Sequence, residues 1–222
     1  SQPLDGLKAM VTAGPTYEAI DPVRFIGNYS SGKMGFAIAL ELAARGARVK
    51  LISGPTALVQ SHPLIEQHNV NSASEMFEEC VANFREQDLV VMSAAVADFT
   101  PEKPSTQKIK KEAGTLHIPL IPTRDILGAL GKLKRKKQVL VGFALETEDE
   151  LANAKIKLTG KNLDMIVLNS LNDKGAGFHG DFNKITIIYR NNKIEKYELK
   201  PKYEVASDIV NSIFKLFAQY AE

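Results

Sequence analysis

A chain of 222 residues with 44% hydrophobic and 24% charged side chains can bury a sizeable core without disulfides or bound metal, which excludes disorder of the whole chain. Its formal net charge of +2 is spread along the sequence, so bulk electrostatics predict neither nucleic-acid nor membrane binding. The one cysteine, Cys80, sits in a helical pattern and fits a buried thiol in a reducing compartment. No apolar run reaches the length of a membrane span and the opening SQPLDG lacks a signal-peptide layout, so a cytoplasmic protein is expected.

Residues 1–6 read as a linker or tag remnant and residues 7–222 as a single domain. The apolar run 7–11 predicts a buried strand that enters a loop at Thr12-Ala13-Gly14-Pro15-Thr16. A long loop follows, then apolar residues at helical spacing over 34–44, closed by Gly46, and a second strand over 48–52. Strand, helix and strand in this order make one parallel crossover unit.

The pattern repeats with a strand over 65–70, a helix over 73–86 and a strand over 88–93. Ser72 followed three residues later by Glu75 has the spacing of a capping box. Residues 94–113 read as a second long loop, which holds Pro101, Pro104 and the run Lys108-Ile109-Lys110-Lys111. A helix is expected over 125–132, a strand over 139–143, a helix over 149–158 and a strand over 165–168. Segments 185–189 and 193–199 then flank Arg190-Asn191-Asn192 as a hairpin, before a final amphipathic helix over 203–220. The fold expected is α/β, a Rossmann-like doubly wound sheet that is mostly parallel and carries a C-terminal antiparallel hairpin.

Gly27-Asn28-Tyr29-Ser30-Ser31-Gly32-Lys33 has the spacing of a phosphate-binding loop, but Met34 stands where that loop needs a hydroxyl for magnesium. The segment also lies well past the first strand. A Gly-rich turn into a helix can still bind an anion through its first amides. The dinucleotide pattern G-x-G-x-x-G is missing after the first strand, where only Gly14 occurs, so a nicotinamide-dependent oxidoreductase loses its usual support. His62, His68, His117 and His179 have no metal-pairing spacing.

Ordered segments together resemble one family. They are Ala13-Gly14-Pro15-Thr16 with Asp21-Pro22-Val23-Arg24, Asn28 with Ser30-Ser31-Gly32-Lys33-Met34-Gly35, Ala94-Ala95-Val96-Ala97-Asp98-Phe99, and Lys108-Ile109-Lys110-Lys111. Gly142-Phe143-Ala144, Glu146-Thr147 and Lys161-Asn162-Leu163-Asp164 continue the series. The family is phosphopantothenate-cysteine ligase of the bacterial, CTP-dependent type. The resemblance implies activation of 4′-phosphopantothenate by CTP as an acyl-cytidylate, followed by attack of the L-cysteine amine, with Mg2+ as the accompanying ion. It also implies a homodimer and, in many bacteria, fusion to an N-terminal flavin-dependent phosphopantothenoylcysteine decarboxylase.

The same resemblance assigns roles. Lys108 is matched to formation of the acyl-cytidylate and Asn28 to its consumption, while Arg24 joins Asn28 in substrate binding. Gly14, Ser31, Gly32, Ala94, Ala95, Ala97, Asp98, Lys108, Asp125, Phe143, Lys157 and Lys161 are matched to the nucleotide, and Asp98 also to the metal. Read by residue type alone, Arg24 could equally form a structural ion pair, Asp125 could be an N-cap, and Lys157 and Lys161 could complement a helix dipole. A nucleotide sensor that binds without turnover is the remaining rival.

Overall fold

The computed structural model describes residues 2–146, 148–170 and 180–221; Ser1, Thr147 and His179 lie outside them. In chain order the elements are β1 (Lys8–Ala13), β2 (Tyr17–Ala19), β3 (Phe25–Gly27), α1 (Lys33–Ala44), β4 (Arg48–Ser53), β5 (Ile65–Asn69) and α2 (Ala73–Phe84). There follow β6 (Leu89–Met92), β7 (Phe99–Pro101), β8 (Leu120–Pro122), α3 (Ile126–Leu133), β9 (Val139–Glu146), α4 (Glu150–Gly160) and β10 (Met165–Ser170). The chain ends with β11 (Phe182–Asn183), β12 (Ile185–Tyr189), β13 (Ile194–Lys196), β14 (Lys200–Pro201) and α5 (Lys202–Ala221).

Eight strands form the central sheet in the order β13-β12-β10-β9-β6-β1-β4-β5. Pairings among β10, β9, β6, β1, β4 and β5 are parallel, whereas β12 and β13 run antiparallel. Alternation of side chains divides the sheet between two cores. Ala9, Val11, Leu89, Val91, Val139 and Val141 face the layer that contains α1 and α5. Met10, Val90, Met92 and Leu140 face α2, α3 and α4. Strands buried on both faces must read as continuous apolar runs, which is why they are visible in the sequence.

Local chemistry sets the ends of the helices. Ser72 Oγ accepts the Glu75 N–H at 3.2 Å, while the Glu75 carboxylate accepts from Asn71 N at 2.7 Å. The reciprocal bond of the expected capping box therefore reaches one residue further back. Gly46 takes φ +100 just past α1, a conformation that disfavours side chains. Leu4, within the stretch read as a linker, is 1% exposed, and its N–H reaches the Arg45 carbonyl at 2.9 Å.

The structure corrects three local expectations. The loop after β1 contains the β2–β3 hairpin, and the loop expected over 94–113 contains β7, which pairs with β8. Three-residue strands are too short to show a period. The second arm of the C-terminal hairpin is limited to Ile194–Lys196, because Lys200–Pro201 leaves it to pair with Phe182–Asn183.

Candidate functional site

From β1 the chain crosses to β4 and β5 on one side, then returns to place β6 on the other. The carboxyl ends of β1 and β6 thus flank the topological switch point, where open α/β sheets leave a crevice. Gly14 turns there with φ +78, and a Cβ on it would lie 3.2 Å from the Gly54 carbonyl oxygen. Ala95 N–H donates to the Gly14 carbonyl at 2.9 Å. Thr12 Oγ1 accepts from Ala94 N at 3.2 Å, Thr16 Oγ1 accepts from Ala97 N at 3.0 Å, and Thr123 Oγ1 donates to the Ala97 carbonyl at 2.7 Å. The small-residue stretch is therefore pinned by hydroxyls from β1 and from two neighbouring loops. Its Ala94 carbonyl and both Val96 backbone groups make no bond to another described residue, so they can meet the edge of a ligand.

One cleft opens from this point on the side of α3 and α4 and is lined by Ala94, Asp98, Asp125, Lys157 and Lys161. Asp125 caps α3 by accepting the Gly128 N–H at 2.9 Å, and its other oxygen pairs with Lys161 Nζ. Burial raises the Asp125 pKa, but Lys161 and the Gly128 amide outweigh it and hold the carboxyl below its ordinary value. Lys157 donates to the Phe143 carbonyl at 2.8 Å, and burial pushes its pKa below that of a free lysine. The four-residue spacing of the two lysines brings both to one end of α4, as its period requires. Arg124 also lines this cleft, with its guanidinium donating to Glu78 at 2.6 Å and lying 3.9 Å from the Phe77 ring centroid.

A second cleft lies on the α1 and α5 side, where Gly14, Ser31, Gly32 and Phe143 meet Lys33 and Lys202. Gly32 precedes α1 with φ +81, and Ser30 Oγ and Ser31 Oγ accept from Gly32 N and Lys33 N at 3.3 and 3.4 Å. Gly35 allows the close approach of helix and sheet, since a Cβ there would lie 2.5 Å from Ala13 Cβ and 2.8 Å from Ser93 Oγ. Lys33 pairs with Asp181 at 2.7 Å, and burial followed by the Lys33 charge lowers the Lys202 pKa. Asn183 Nδ2 donates to Asn169 Oδ1 at 3.1 Å on the same wall. Asn169, Asn183 and Lys202 were missed by sequence reading. The signal in the sequence was the polar pair Asn169-Ser170 at the carboxyl end of an otherwise apolar strand.

Phe143 lines the second cleft, and its carbonyl holds Lys157, which lines the first. Asn28 reaches the switch point from the end of β3, its Nδ2 donating to the Ala95 carbonyl at 2.8 Å. The Arg24 guanidinium is engaged by Asp21 through Nε at 3.0 Å and by the Ile109 carbonyl through Nη2 at 2.6 Å. Lys108, next to that anchored residue, is exposed, and its side chain has no bond to a described residue. Asp98 is likewise exposed at the mouth of the first cleft. The structure thus sets Asn28 against the switch point, joins the Arg24 turn to the segment of Lys108 through Ile109, and gathers Asp98, Asp125, Lys157 and Lys161 in one cleft, while Arg24, Asn28 and Lys108 line neither cleft. No group of at least three His, Cys, Asp or Glu side chains suited to a metal occurs among the described residues.

Comparison with known proteins matches residues 4–217 to the family described as the DNA/pantothenate metabolism flavoprotein C-terminal domain. The chain is 45% identical over 222 residues to the coenzyme A biosynthesis bifunctional protein CoaBC of Bacillus subtilis (strain 168), covering 100% of this chain and 54% of that protein. It is 56% identical over 215 residues to a cysteine/cysteine sulfinic acid decarboxylase from an unknown prokaryotic organism, covering 97% of this chain and 60% of the relative. The crystal structure of the C-terminal domain of CoaBC superposes with a TM-score of 0.83 at 38% identity, covering 99% of this chain and 100% of that one. The chain spans little more than half the length of these two curated relatives.

Proposed function

The chain belongs to the DNA/pantothenate metabolism flavoprotein C-terminal domain family, and from that premise we propose that it ligates 4′-phosphopantothenate to L-cysteine, using CTP to form an acyl-cytidylate. The observation that carries this reading is the Asn28 to Ala95 bond at 2.8 Å, which joins the segment matched to the acyl group with the segment matched to the nucleotide. A ligase working through an acyl-nucleotide needs those two substrates side by side. A carboxylate is a poor acyl donor until one oxygen leaves with a nucleotide. In the first step the phosphopantothenate carboxylate attacks the α-phosphorus and pyrophosphate departs; in the second the cysteine amine displaces CMP.

Both steps build negative charge on phosphate or carbonyl oxygens, so placed cations and donors matter more than a protein nucleophile. Lys108 supplies the cation during activation, and Lys157 and Lys161 hold the nucleotide. The Asn28 amide donates toward the acyl oxygen as cysteine attacks, and Arg24 steadies the substrate segment. The Ala94 carbonyl and the Val96 amide and carbonyl read the base edge. Asp98 offers an exposed carboxylate in the same cleft as the lysines, a hard oxygen donor suited to magnesium shared with phosphates. Magnesium bound there would neutralise charge on the phosphates.

A homodimer is part of the proposal. Val23 and Phe25 are 61% and 50% exposed on or beside the β2–β3 hairpin, and Phe99 is 51% exposed on the β7–β8 pair that abuts it. Two small sheets with apolar faces turned outward suit a self-complementary contact. Fusion to an N-terminal decarboxylase agrees with the chain spanning about half of the CoaBC relatives.

Incubation with CTP, phosphopantothenate and cysteine tests the reading: pyrophosphate and a product of the ligated mass are expected. CTP binding without pyrophosphate would instead indicate a sensor, and carbon dioxide from cysteine alone would point to the activity named for the 56%-identical relative. CTP should exceed ATP in kcat/KM by at least about tenfold, since base discrimination rests on placed backbone groups. Equal efficiency of the two nucleotides would remove the base-selective part.

The depressed pKa of Lys157 gives this reading a pH signature. Its ammonium is present below that pKa and lost as pH rises through it, so CTP binding should weaken on the alkaline side earlier than for an exposed lysine. Lys157→Arg retains its charge throughout and should flatten this limb. Calorimetric titrations between about pH 7 and about pH 10 decide the matter, and identical profiles for the two proteins would discard Lys157 as the titrating group.

A further inference from the structure

Among the described residues, Asp21 is the one carboxylate that holds together the two segments carrying Arg24 and Lys108. Its side chain is 0% exposed, and every bond it makes is to a group of those segments. Oδ1 accepts the N–H groups of Val23 and Arg24, both at 2.8 Å. Oδ2 accepts Arg24 Nε at 3.0 Å and the Ile109 N–H at 3.1 Å. Arg24 Nη2, itself held by Asp21, donates to the Ile109 carbonyl at 2.6 Å. Both backbone polar groups of Ile109 are thus fixed by one ion pair from a distant turn.

That arrangement matters because residues 103–119 contain no helix or strand to fix their path. Among the described bonds, this stretch meets the 20–24 turn only through Ser105 N–H to the Ile20 carbonyl at 2.9 Å and the Ile109 clamp. Lys108 is flanked by these two anchors, with Ile109 adjacent to it. Its own side chain is exposed and unbonded, so its placement depends on the backbone beneath it. The Arg24 guanidinium and the amides around Asp21 also hold the carboxyl well below the usual carboxylate range, so the clamp stays charged throughout the neutral range.

We propose that Asp21 is a positioning residue for ligation: through Arg24 and the backbone of Ile109 it sets where Lys108 stands during carboxylate activation. The inference rests on the activation role read for Lys108 above. Asp21→Asn keeps an acceptor for the turn but turns an amide donor toward donors, which should release residues 105–111. Activation, followed as pyrophosphate released in a single turnover, should slow on the order of tenfold to a hundredfold, the scale of an ångström-sized misplacement.

A double-mutant cycle separates positioning from general damage. If Asp21 acts through Lys108, Asp21→Asn combined with Lys108→Gln should be no slower than Lys108→Gln alone within about threefold. Hydrogen exchange at the Ile109 amide should meanwhile accelerate at least about tenfold in Asp21→Asn, with β1 and β6 unaffected. Rate losses that multiply, or an Ile109 amide that exchanges as before, would overturn the inference. Lys108→Gln with intact activation sinks the role proposed for Lys108, an outcome visible in that single variant and independent of the exchange data. Should Asp21→Asn fail to fold, the unsubstituted protein still decides: an Ile109 amide that exchanges at least about tenfold slower than those of Lys110 and Lys111 supports the clamp, and one that exchanges as fast as they do rejects it.

Discussion

Lys108→Gln is expected to lower acyl-cytidylate formation and pyrophosphate release together, on the order of a hundredfold, because it removes a cation from charge that grows during phosphoryl transfer. The side chain is exposed and unbonded in the resting structure, so the substitution should leave the unfolding midpoint unchanged. Asn28→Asp should fail differently. It replaces the amide donor with a carboxylate, which should hinder cysteine attack more than activation and let the acyl-cytidylate accumulate. The Asn28 bond to the Ala95 carbonyl also turns into an oxygen–oxygen opposition, so folding and CTP binding must be verified before rates are compared. Rapid-quench mass spectrometry reads both variants: accumulation of intermediate in Lys108→Gln, or complete loss of activation in folded Asn28→Asp, contradicts the division.

The largest stability loss is expected at the opposite end of the sheet, in Asp164→Ala. Asp164 and Lys134 form an ion pair at 3.0 Å with side chains only 2% and 8% exposed. The same carboxylate accepts the Leu140 N–H at 2.8 Å and the Tyr220 hydroxyl at 2.7 Å, joining β9, the loop before β10 and α5. Removing it strands a buried ammonium and a strand amide, at a cost of about 3–5 kcal/mol. Urea unfolding measures this directly, and a loss under about 1 kcal/mol would show that water or rearrangement replaces the carboxylate. Tyr220→Phe, which removes one donor and leaves the ion pair, should cost about 1 kcal/mol. Asp164 therefore belongs to the framework, although it lies in a segment that carries the family resemblance.

Much of this architecture is legible in the order of residues because its causes are local. Strands β1, β6, β9 and β10 are buried on both faces and must be continuously apolar, while α1 and α2 announce their ends through Gly46 and Ser72. The parallel order follows from alternating strands and helices, and the residues matched to nucleotide and acyl chemistry lie in recognisable short segments. Tertiary structure alone decides how those segments meet. The β2–β3 and β7–β8 pairs are too short to carry a period, and the bond from Asn28 to Ala95 spans 67 positions. The clamp from Asp21 to Ile109 spans 88, and the wall made by Asn169, Asn183 and Lys202 comes from separate elements. Sequence periodicity reports which face of an element is buried, whereas these contacts depend on the path the chain takes between elements; Asp21 and Lys202 have no local pattern that marks them until the folded sheet brings their partners within reach.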